Sequence, residues 1–162
     1  VASHGRANPA GIPYLYLGSE IETAVSEIRP HTGDITCVAS FKIPNNLTLV
    51  DLRAARNSVS PFILEDEKDI GRMRSDLVFL ERLGHELTRP VRQMAAAFDY
   101  TPSQYLCEFI KKSRYDGVLY RSSVSDGFNL ALFDQSKAQI GIISQRRVEK
   151  VGVEISAENV DV

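Results

Sequence analysis

The chain has 162 residues, of which 43% are hydrophobic, so we expect one domain with a substantial core over residues 1–162. Its formal net charge of −2 offers no electrostatic basis for binding nucleic acid or an anionic membrane. Because no apolar run approaches the roughly 20 residues that span a bilayer, we expect a cytoplasmic protein without nucleic-acid or membrane partners.

The first distinctive segment is residues 5–13, which is rich in glycine, asparagine and proline. Residues of these types bend the backbone, so Arg6 and Asn8 are predicted to lie in a turn. Residues 14–17, which include Tyr16, are aromatic and aliphatic and predict a short buried strand. A cationic side chain and an aromatic one are therefore close in sequence.

Residues 19–30 predict a helix that carries a carboxylate on its flank. Ser19 and Glu22 have the spacing of a capping box, and Pro30 is expected to end the helix. One helical face is apolar, with Ile21, Ala24, Val25 and Ile28 at helical spacing. Glu27 lies to one side of this stripe, so its carboxylate can face the same cleft as the preceding turn.

Residues 35–43 alternate between apolar and polar side chains and predict a half-buried antiparallel strand. A turn at 44–46 and a second apolar run at 47–52 predict that this strand belongs to a hairpin. Cys37, on the apolar face, and Cys107, further along the chain, lack metal-ligand spacing. We expect both to be buried free thiols.

The middle of the chain predicts a charged segment followed by two helices. Residues 57–74 are highly charged and predict a solvated loop or a short helix. A helix is predicted over 75–87 from its leucine spacing. Thr101 as N-cap, Pro102 as the first helical residue and Gln104 as the capping partner predict the start of the second helix.

The last part of the chain predicts short strands, the first two of them separated by a polar loop that contains Ser122 and Ser123. Residues 157–162 are expected to form a frayed tail. Strands interrupted by helices without regular βαβ alternation predict an α+β fold of mainly antiparallel sheets with flanking helices. The strands of this part are predicted at 118–120, 130–133, 140–143 and 148–155.

Arg6, Tyr16 and Glu27 favour one chemistry when they are taken together. The planar arginine fork can bind two oxygens of a diphosphate, and a tyrosine ring can stack on a flat cationic ring. An ionised glutamate suits a developing oxocarbenium ion. The sequence contains no metal-ligand cluster, G-x-S-x-G motif or phosphate-binding glycine loop. We therefore expect cleavage of a nicotinamide dinucleotide at its N-glycosidic bond, without a metal.

Short blocks of residues, spread over most of the chain, match the order of one known family. They are Gly5-Arg6-Ala7-Asn8 with Gly11, Tyr14-Leu15-Tyr16, Thr23-Ala24 with Glu27, residues 100–104 with Glu108, Tyr115-Asp116-Gly117, Tyr120-Arg121-Ser122-Ser123, Gly127 and residues 129–133. In these blocks the chain resembles the RES domain, the toxin of a bacterial toxin–antitoxin pair. The resemblance implies an ADP-ribosyltransferase-like fold that consumes NAD by hydrolysis, phosphorolysis or transfer of ADP-ribose.

The resemblance also implies a role for each candidate residue. Arg6 would grip the dinucleotide phosphates, and Tyr16 would stack on or border the nicotinamide ribose. Glu27 would stabilise the ribosyl cation or orient the attacking group. Ser122 would donate a hydrogen bond to the ligand from the far wall, with Ser123 as an almost equal candidate. A cognate antitoxin is expected to cover the cleft. A homo-oligomer is the other partner state that we consider.

Each role has a structural alternative. Arg6 and Asn8 could be turn residues, with Asn8 favoured as a turn former over a ligand contact, and Tyr16 could fill the core. Glu27 could be a solvated helix residue and Ser122 a turn residue at a strand end. The same fold could also transfer ADP-ribose to a protein, or bind a nucleotide or protein without catalysis.

The chain departs from the family pattern at its start. The family usually has a strand before the turn that supplies a further arginine, whereas this chain begins five residues before Arg6. We expect either a domain cut from a longer polypeptide or a missing element, because residues 1–5 contain no further arginine. Arg121 is expected to face water, with a phosphate contact as the alternative.

Overall fold

The computed structural model of the protein describes residues 2–58, 67–89 and 100–152. Within these ranges the strands form one four-stranded and one two-stranded sheet. The elements in chain order are β1 (Leu15–Gly18), α1 (Ile21–Glu27), β2 (Ile35–Lys42), β3 (Leu49–Asp51), a 3₁₀ helix (Ala55–Ser58), α2 (Glu67–Thr88), α3 (Thr101–Lys112), β4 (Gly117–Arg121), β5 (Phe128–Leu132), a second 3₁₀ helix (Gln135–Lys137) and β6 (Gln139–Arg147).

The larger sheet has the strand order β1-β5-β4-β3, and the smaller sheet pairs β2 with β6. All pairs are antiparallel except β3 with β4, which is parallel. This combination of helices with mainly antiparallel sheets confirms the predicted α+β class.

The core lies between one face of the larger sheet and helices α2 and α3. Val118 and Tyr120 on β4 and Ala131 on β5 project from the same face, because alternate residues of a strand share a side. They belong to one buried cluster with residues of α2 and α3, among them Leu83, Leu87, Cys107 and Ile110. This packing holds β4 against α2 and α3.

The predicted hairpin of residues 35–52 is wrong. Strand β2 pairs with β6, more than 90 residues further along the chain, and β3 lies parallel to β4 in the other sheet. The turn at 44–46 therefore connects two sheets. Alternation along a strand predicts its two faces, but it carries no information about which strand supplies the hydrogen bonds.

The prediction that Cys37 is buried is also wrong, because Cys37 is exposed. The neighbouring Ile35 is 61% exposed, whereas Thr36 is buried. The side of β2 that carries Thr36 faces the molecule, and α1 lies against this strand. Cys107 is buried as predicted, and its burial raises the pKa of the thiol to about 12.

Helix α2 begins at Glu67, ahead of the predicted start at Ser75, so part of the charged segment 57–74 is helical. Residues 59–66 of that segment lie outside the described residues. No helix in the described ranges is long and apolar enough to cross a membrane.

Strands were predicted at 140–143 and 148–155, whereas the described residues in this part of the chain form one strand, β6 (Gln139–Arg147). Strand β6 covers the predicted strand at 140–143 and continues to Arg147. Residues 148–152 of the predicted strand at 148–155 are not in a strand. Residues 153–155 and the predicted tail at 157–162 lie outside the described residues.

Candidate active site

The turn that carries Arg6 is held by the first turn of α3. The Ser103 hydroxyl donates to the Arg6 carbonyl at 2.6 Å, and the Gln104 amide donates to the Gly5 carbonyl at 2.8 Å. The predicted capping role of Thr101 is wrong, because Tyr100 occupies the N-cap position and no side chain caps the helix. Ser103 and Gln104, at the start of this helix, donate hydrogen bonds to the turn and do not cap the helix.

Asn8 organises the same turn from inside. It is buried, and its amide nitrogen donates to the carbonyl oxygens of Ser3, Pro9 and Ile12. Its amide oxygen accepts from the Tyr16 hydroxyl at 2.7 Å. Asn8 is therefore placed as a turn former.

Tyr16 has its hydroxyl in the turn and part of its ring in solvent. The hydroxyl also accepts from the Ala7 backbone N–H at 3.0 Å, so it is both donor and acceptor. A Cβ at Gly5 would come within 2.6 Å of this hydroxyl, which explains the glycine there. Burial of the hydroxyl raises the pKa of Tyr16 to about 12, while the residue as a whole is 39% exposed.

The Arg6 guanidinium is fixed by the carboxyl end of α2. Its Nη1 donates to the carbonyls of Leu87 at 3.2 Å and Arg89 at 2.5 Å, and Nη2 reaches the Ser123 hydroxyl at 3.4 Å. The guanidinium carbon lies 5.6 Å from the centre of the Tyr100 ring. No carboxylate among the described residues pairs with Arg6, so its positive charge is available to an anion.

Glu27, the last residue of α1, is held through one carboxylate oxygen. The Ser122 hydroxyl donates to Oε1 at 2.8 Å, and the Asn129 amide donates to the same oxygen at 2.6 Å. Within the described ranges no hydrogen bond or ion pair engages Oε2. The carboxylate is thus oriented by two buried donors and keeps one oxygen for another partner.

Helix α1 is positioned by close contacts with the loop between β4 and β5. The Ser125 hydroxyl donates to the Thr23 hydroxyl at 3.0 Å, and Ser19 Oγ accepts from the Phe128 backbone N–H at 3.1 Å. The predicted capping role of Ser19 is wrong, because Glu20 is the N-cap residue and no side chain caps the helix. Ser19 joins the helix start to β5 instead.

The buried Tyr120 hydroxyl lies among the candidate residues. Burial raises the pKa of Tyr120 well above its usual value. The nearby Tyr16 and Glu27 side chains raise the pKa of Tyr120 further, and the positive charge of Arg6 opposes the rise. Direct contacts connect the candidates in pairs: Tyr16 bonds the backbone N–H of Ala7 next to Arg6, and Arg6 and Glu27 bond the adjacent Ser123 and Ser122.

The two serines of the polar loop have different neighbours. Ser122 is buried and bonds Glu27, whereas Ser123 is half-buried and accepts from Arg6. Their adjacency in sequence links the carboxylate to the guanidinium. Ser122, predicted to contact the ligand, donates a hydrogen bond to Glu27 in the structure.

Asn129 is a site residue that the sequence analysis did not single out. It was predicted to lie in the polar loop ahead of the strand at 130–133, whereas the structure places it inside β5, where it is the polar residue in an apolar run. A buried amide in an apolar strand needs a hydrogen-bonding partner, and this requirement was the available signal.

The assembled groups are one free cation, one partly exposed aromatic ring and one oriented carboxylate with an unoccupied oxygen. Among the described residues, no three His, Cys, Asp or Glu side chains come together as ligands for a metal ion. The arrangement can bind an anionic group beside a centre that develops positive charge.

Comparison with known proteins identifies a family. The family model described as the RES domain matches residues 1–152 of the 162-residue chain. No curated protein and no solved structure matches the chain. The ADP-ribosyltransferase-like character of the fold therefore stays a prediction.

Proposed function

Since this chain belongs to the RES domain family, whose members are toxin–antitoxin proteins linked to NAD, we propose that it cleaves the nicotinamide N-glycosidic bond of NAD. The bond between ribose C1′ and the nicotinamide nitrogen breaks, and its electron pair leaves with neutral nicotinamide. An oxygen of water or phosphate then bonds to C1′ and loses its proton. The second product is ADP-ribose or its phosphate ester.

The observation that carries the proposal is the two-donor arrangement on Glu27. Ser122 and Asn129 bond to Oε1, which leaves Oε2 free to face the ribose as positive charge develops there. A carboxylate fixed before the reaction stabilises an oxocarbenium ion without reorganising during it. The same oxygen can orient the attacking water or phosphate.

Arg6 supports the phosphate end of the substrate. Its contacts at the end of α2 are with backbone carbonyls, which hold the guanidinium without neutralising it. A preorganised guanidinium binds a diphosphate with less loss of side-chain entropy than a mobile one. We assign Arg6 to the diphosphate of NAD.

Tyr16 contributes its ring. Its hydroxyl is committed to Asn8 and Ala7, and its pKa of about 12 keeps it protonated at neutral pH. It is therefore unsuited to act as a general base. The exposed part of the ring can border the nicotinamide ribose or stack on the cationic nicotinamide.

The proposal is tested by incubating the purified protein with NAD, with and without phosphate, and separating the products chromatographically. Nicotinamide release should fall by about 100-fold or more in Glu27→Gln, because the neutral amide cannot stabilise the ribosyl cation. Glu22→Gln, an exposed change on the same helix, is the matched control and should keep full activity. Equal release by the wild type and Glu27→Gln would refute the proposal.

The family also implies an antitoxin partner, and we propose that it covers the region around Arg6 and Glu27. Expression without this partner should lower cellular NAD and slow growth, and Glu27→Gln should do neither. Growth arrest at unchanged NAD would contradict the proposed activity. Label from NAD that stays on a target protein, with little free ADP-ribose, would identify protein modification instead.

A further inference from the structure

A cavity of about 360 Å³ lies where β3 and β4 end, outside the candidate active site. Its volume falls in the range of pockets that hold small molecules. The charged and aromatic side chains among its lining residues are Asp51, Arg53, Arg121, Asp126 and Phe128, and Ala54 and Gly127 complete the lining. None of them contacts Arg6, Tyr16 or Glu27 through a hydrogen bond or ion pair in the described parts of the chain.

The cavity opens on the sheet face opposite the donors that hold Glu27. Arg121 on β4 is paired with Phe128 on β5, and the next pair is Tyr120 with Asn129. Successive residues of a strand point to opposite faces, so the first pair lies away from the second. Among the described residues, the two regions meet at the β4–β5 connection, where Gly127 lines the cavity and lies against Thr23 of α1.

Arg53 forms a flat and fixed wall of the cavity. Its Nε and Nη2 donate to the two carboxylate oxygens of Asp51 at 2.9 and 2.6 Å. Its guanidinium carbon lies 4.3 Å from the centre of the Phe128 ring. A guanidinium held on one edge and stacked on one side leaves its other face for a planar ligand group.

The terminal nitrogens of the Arg121 guanidinium have no partner among the described residues. Its Nε donates to the Arg53 carbonyl at 2.9 Å, which orients the side chain along the cavity. Nη1 and Nη2 have no hydrogen bond or ion pair with any described residue. Two free N–H donors on a fixed cation suit two oxygens of a phosphate.

We propose that this cavity binds a nucleoside phosphate. Nη1 and Nη2 of Arg121 donate hydrogen bonds to the phosphate. The base stacks on the free face of Arg53, which lies on Phe128, and the Asp126 carboxylate accepts a hydrogen bond from a ribose hydroxyl. An inorganic anion would leave the stacked wall and Asp126 unused. The nucleoside phosphate can be the AMP half of NAD or a separate free nucleotide.

Calorimetric titration with AMP tests the site without requiring any cleavage of NAD. AMP should bind the wild-type protein, and Arg121→Gln should weaken binding about tenfold or more, since a charge-assisted bidentate contact is lost. Arg74→Gln makes the same charge change on the exposed surface of α2 and should bind AMP as the wild type does. No AMP binding to the wild type, or unchanged binding by Arg121→Gln, would overturn the proposal.

Kinetic measurements on two substrates distinguish the AMP half of NAD from a free nucleotide as the ligand of the cavity. This second experiment rests on the proposed cleavage activity. If the cavity holds the AMP half of the substrate, Arg121→Gln lowers kcat/KM for NAD but not for nicotinamide mononucleotide, which lacks AMP. If it holds a free nucleotide, both kcat/KM values stay unchanged while AMP binding is lost. An equal fall with both substrates would show that Arg121 acts through the loop carrying Ser122, and would overturn the proposal.

Discussion

The orientation of the Glu27 carboxylate depends on two side chains from different strands. Ser122 follows β4 and Asn129 lies in β5, and both donate to the same oxygen. Asn129 is only 5% exposed, so bulk water competes little for its amide. The direction of the free oxygen is therefore set by the two central strands of the larger sheet.

Asn129→Leu should lower kcat for NAD cleavage by about tenfold or more, with a smaller change in KM. Leucine has a similar volume but no donor, so the carboxylate loses one of two groups that aim it, and misaligned groups slow the chemical step. Steady-state kinetics of the variant would measure the change in kcat and the change in KM separately.

Ser122→Ala provides the companion measurement. If the two donors act as a unit on Glu27, the double variant should lose less than the sum of the two single effects, expressed as free energies. A fall in thermal stability with unchanged kcat in Asn129→Leu would show that Asn129 has a structural role alone.

The sequence could indicate the candidate residues but not the contacts between them. Arg6, Tyr16 and Glu27 lie within 22 residues of one another, and in the structure Arg6 and Glu27 bond the adjacent residues Ser123 and Ser122. The Ser122 contact with Glu27 spans 95 positions, and no local spacing rule covers such a distance. The action of these residues on NAD stays a prediction.

Helix α1 lies unusually close to the strands beside it, and glycine makes this approach possible. A Cβ at Gly18 would come within 2.6 Å of the Ala24 backbone nitrogen. A Cβ at Gly127 would come within 2.1 Å of Thr23 Oγ1 and 2.6 Å of Ser19 Oγ. Since Glu27 is carried by this helix, the fit at these glycines sets the distance from the carboxylate to its donors.

Gly127→Ala should destabilise the protein by about 1–3 kcal/mol, because the added methyl group forces α1 away from the β4–β5 connection. It should also lower NAD cleavage, because the displaced helix carries Glu27. Gly71→Ala is the matched control, since a Cβ at Gly71, within α2, meets nothing within 4 Å.

The control should stabilise the protein by about 0.5–1 kcal/mol, as alanine favours a helix over glycine. Denaturant unfolding of both variants measures the two free energies. Wild-type stability and activity in Gly127→Ala would mean that α1 can shift at no cost, contrary to the close contact.

Local patterns predicted where most elements lie, but not how they are joined. Strands β4 and β5 were predicted within about one to two residues at each end and the start of α3 within about one residue, because their apolar spacing reflects the side that faces the core. The pairing of β2 was predicted wrongly because a turn at 44–46 was taken as a hairpin connection. The capping residues were also wrong, since Ser19 and Gln104 form longer-range bonds instead.

At the scale of the whole molecule, Asp116 joins three separate parts of the larger sheet. Its carboxylate accepts from the Thr48 backbone N–H ahead of β3 and pairs with Lys137 in the second 3₁₀ helix. Its own backbone bonds the Thr48 carbonyl at 2.8 Å and the Phe133 N–H at 2.9 Å. The hydrogen bond from Lys137, helped by the one from Thr48, lowers the pKa of the Asp116 carboxyl below its usual value.

Asp116→Asn should therefore lower the unfolding temperature at neutral pH. A carboxyl whose pKa is lower in the folded protein than in the unfolded chain stabilises the fold fully above the unfolded value, about 4. This contribution is lost as the pH falls through the folded value, so the gap between wild type and variant should narrow below about pH 4. Asp76→Asn, an exposed change on α2, should leave the unfolding temperature nearly unchanged at neutral pH. Thermal unfolding from pH 7 to pH 2 measures the difference in unfolding temperature between the wild type and each variant. If this difference stays constant over the pH range for Asp116→Asn, the charge of Asp116 does not contribute to holding Thr48 and Lys137 in place.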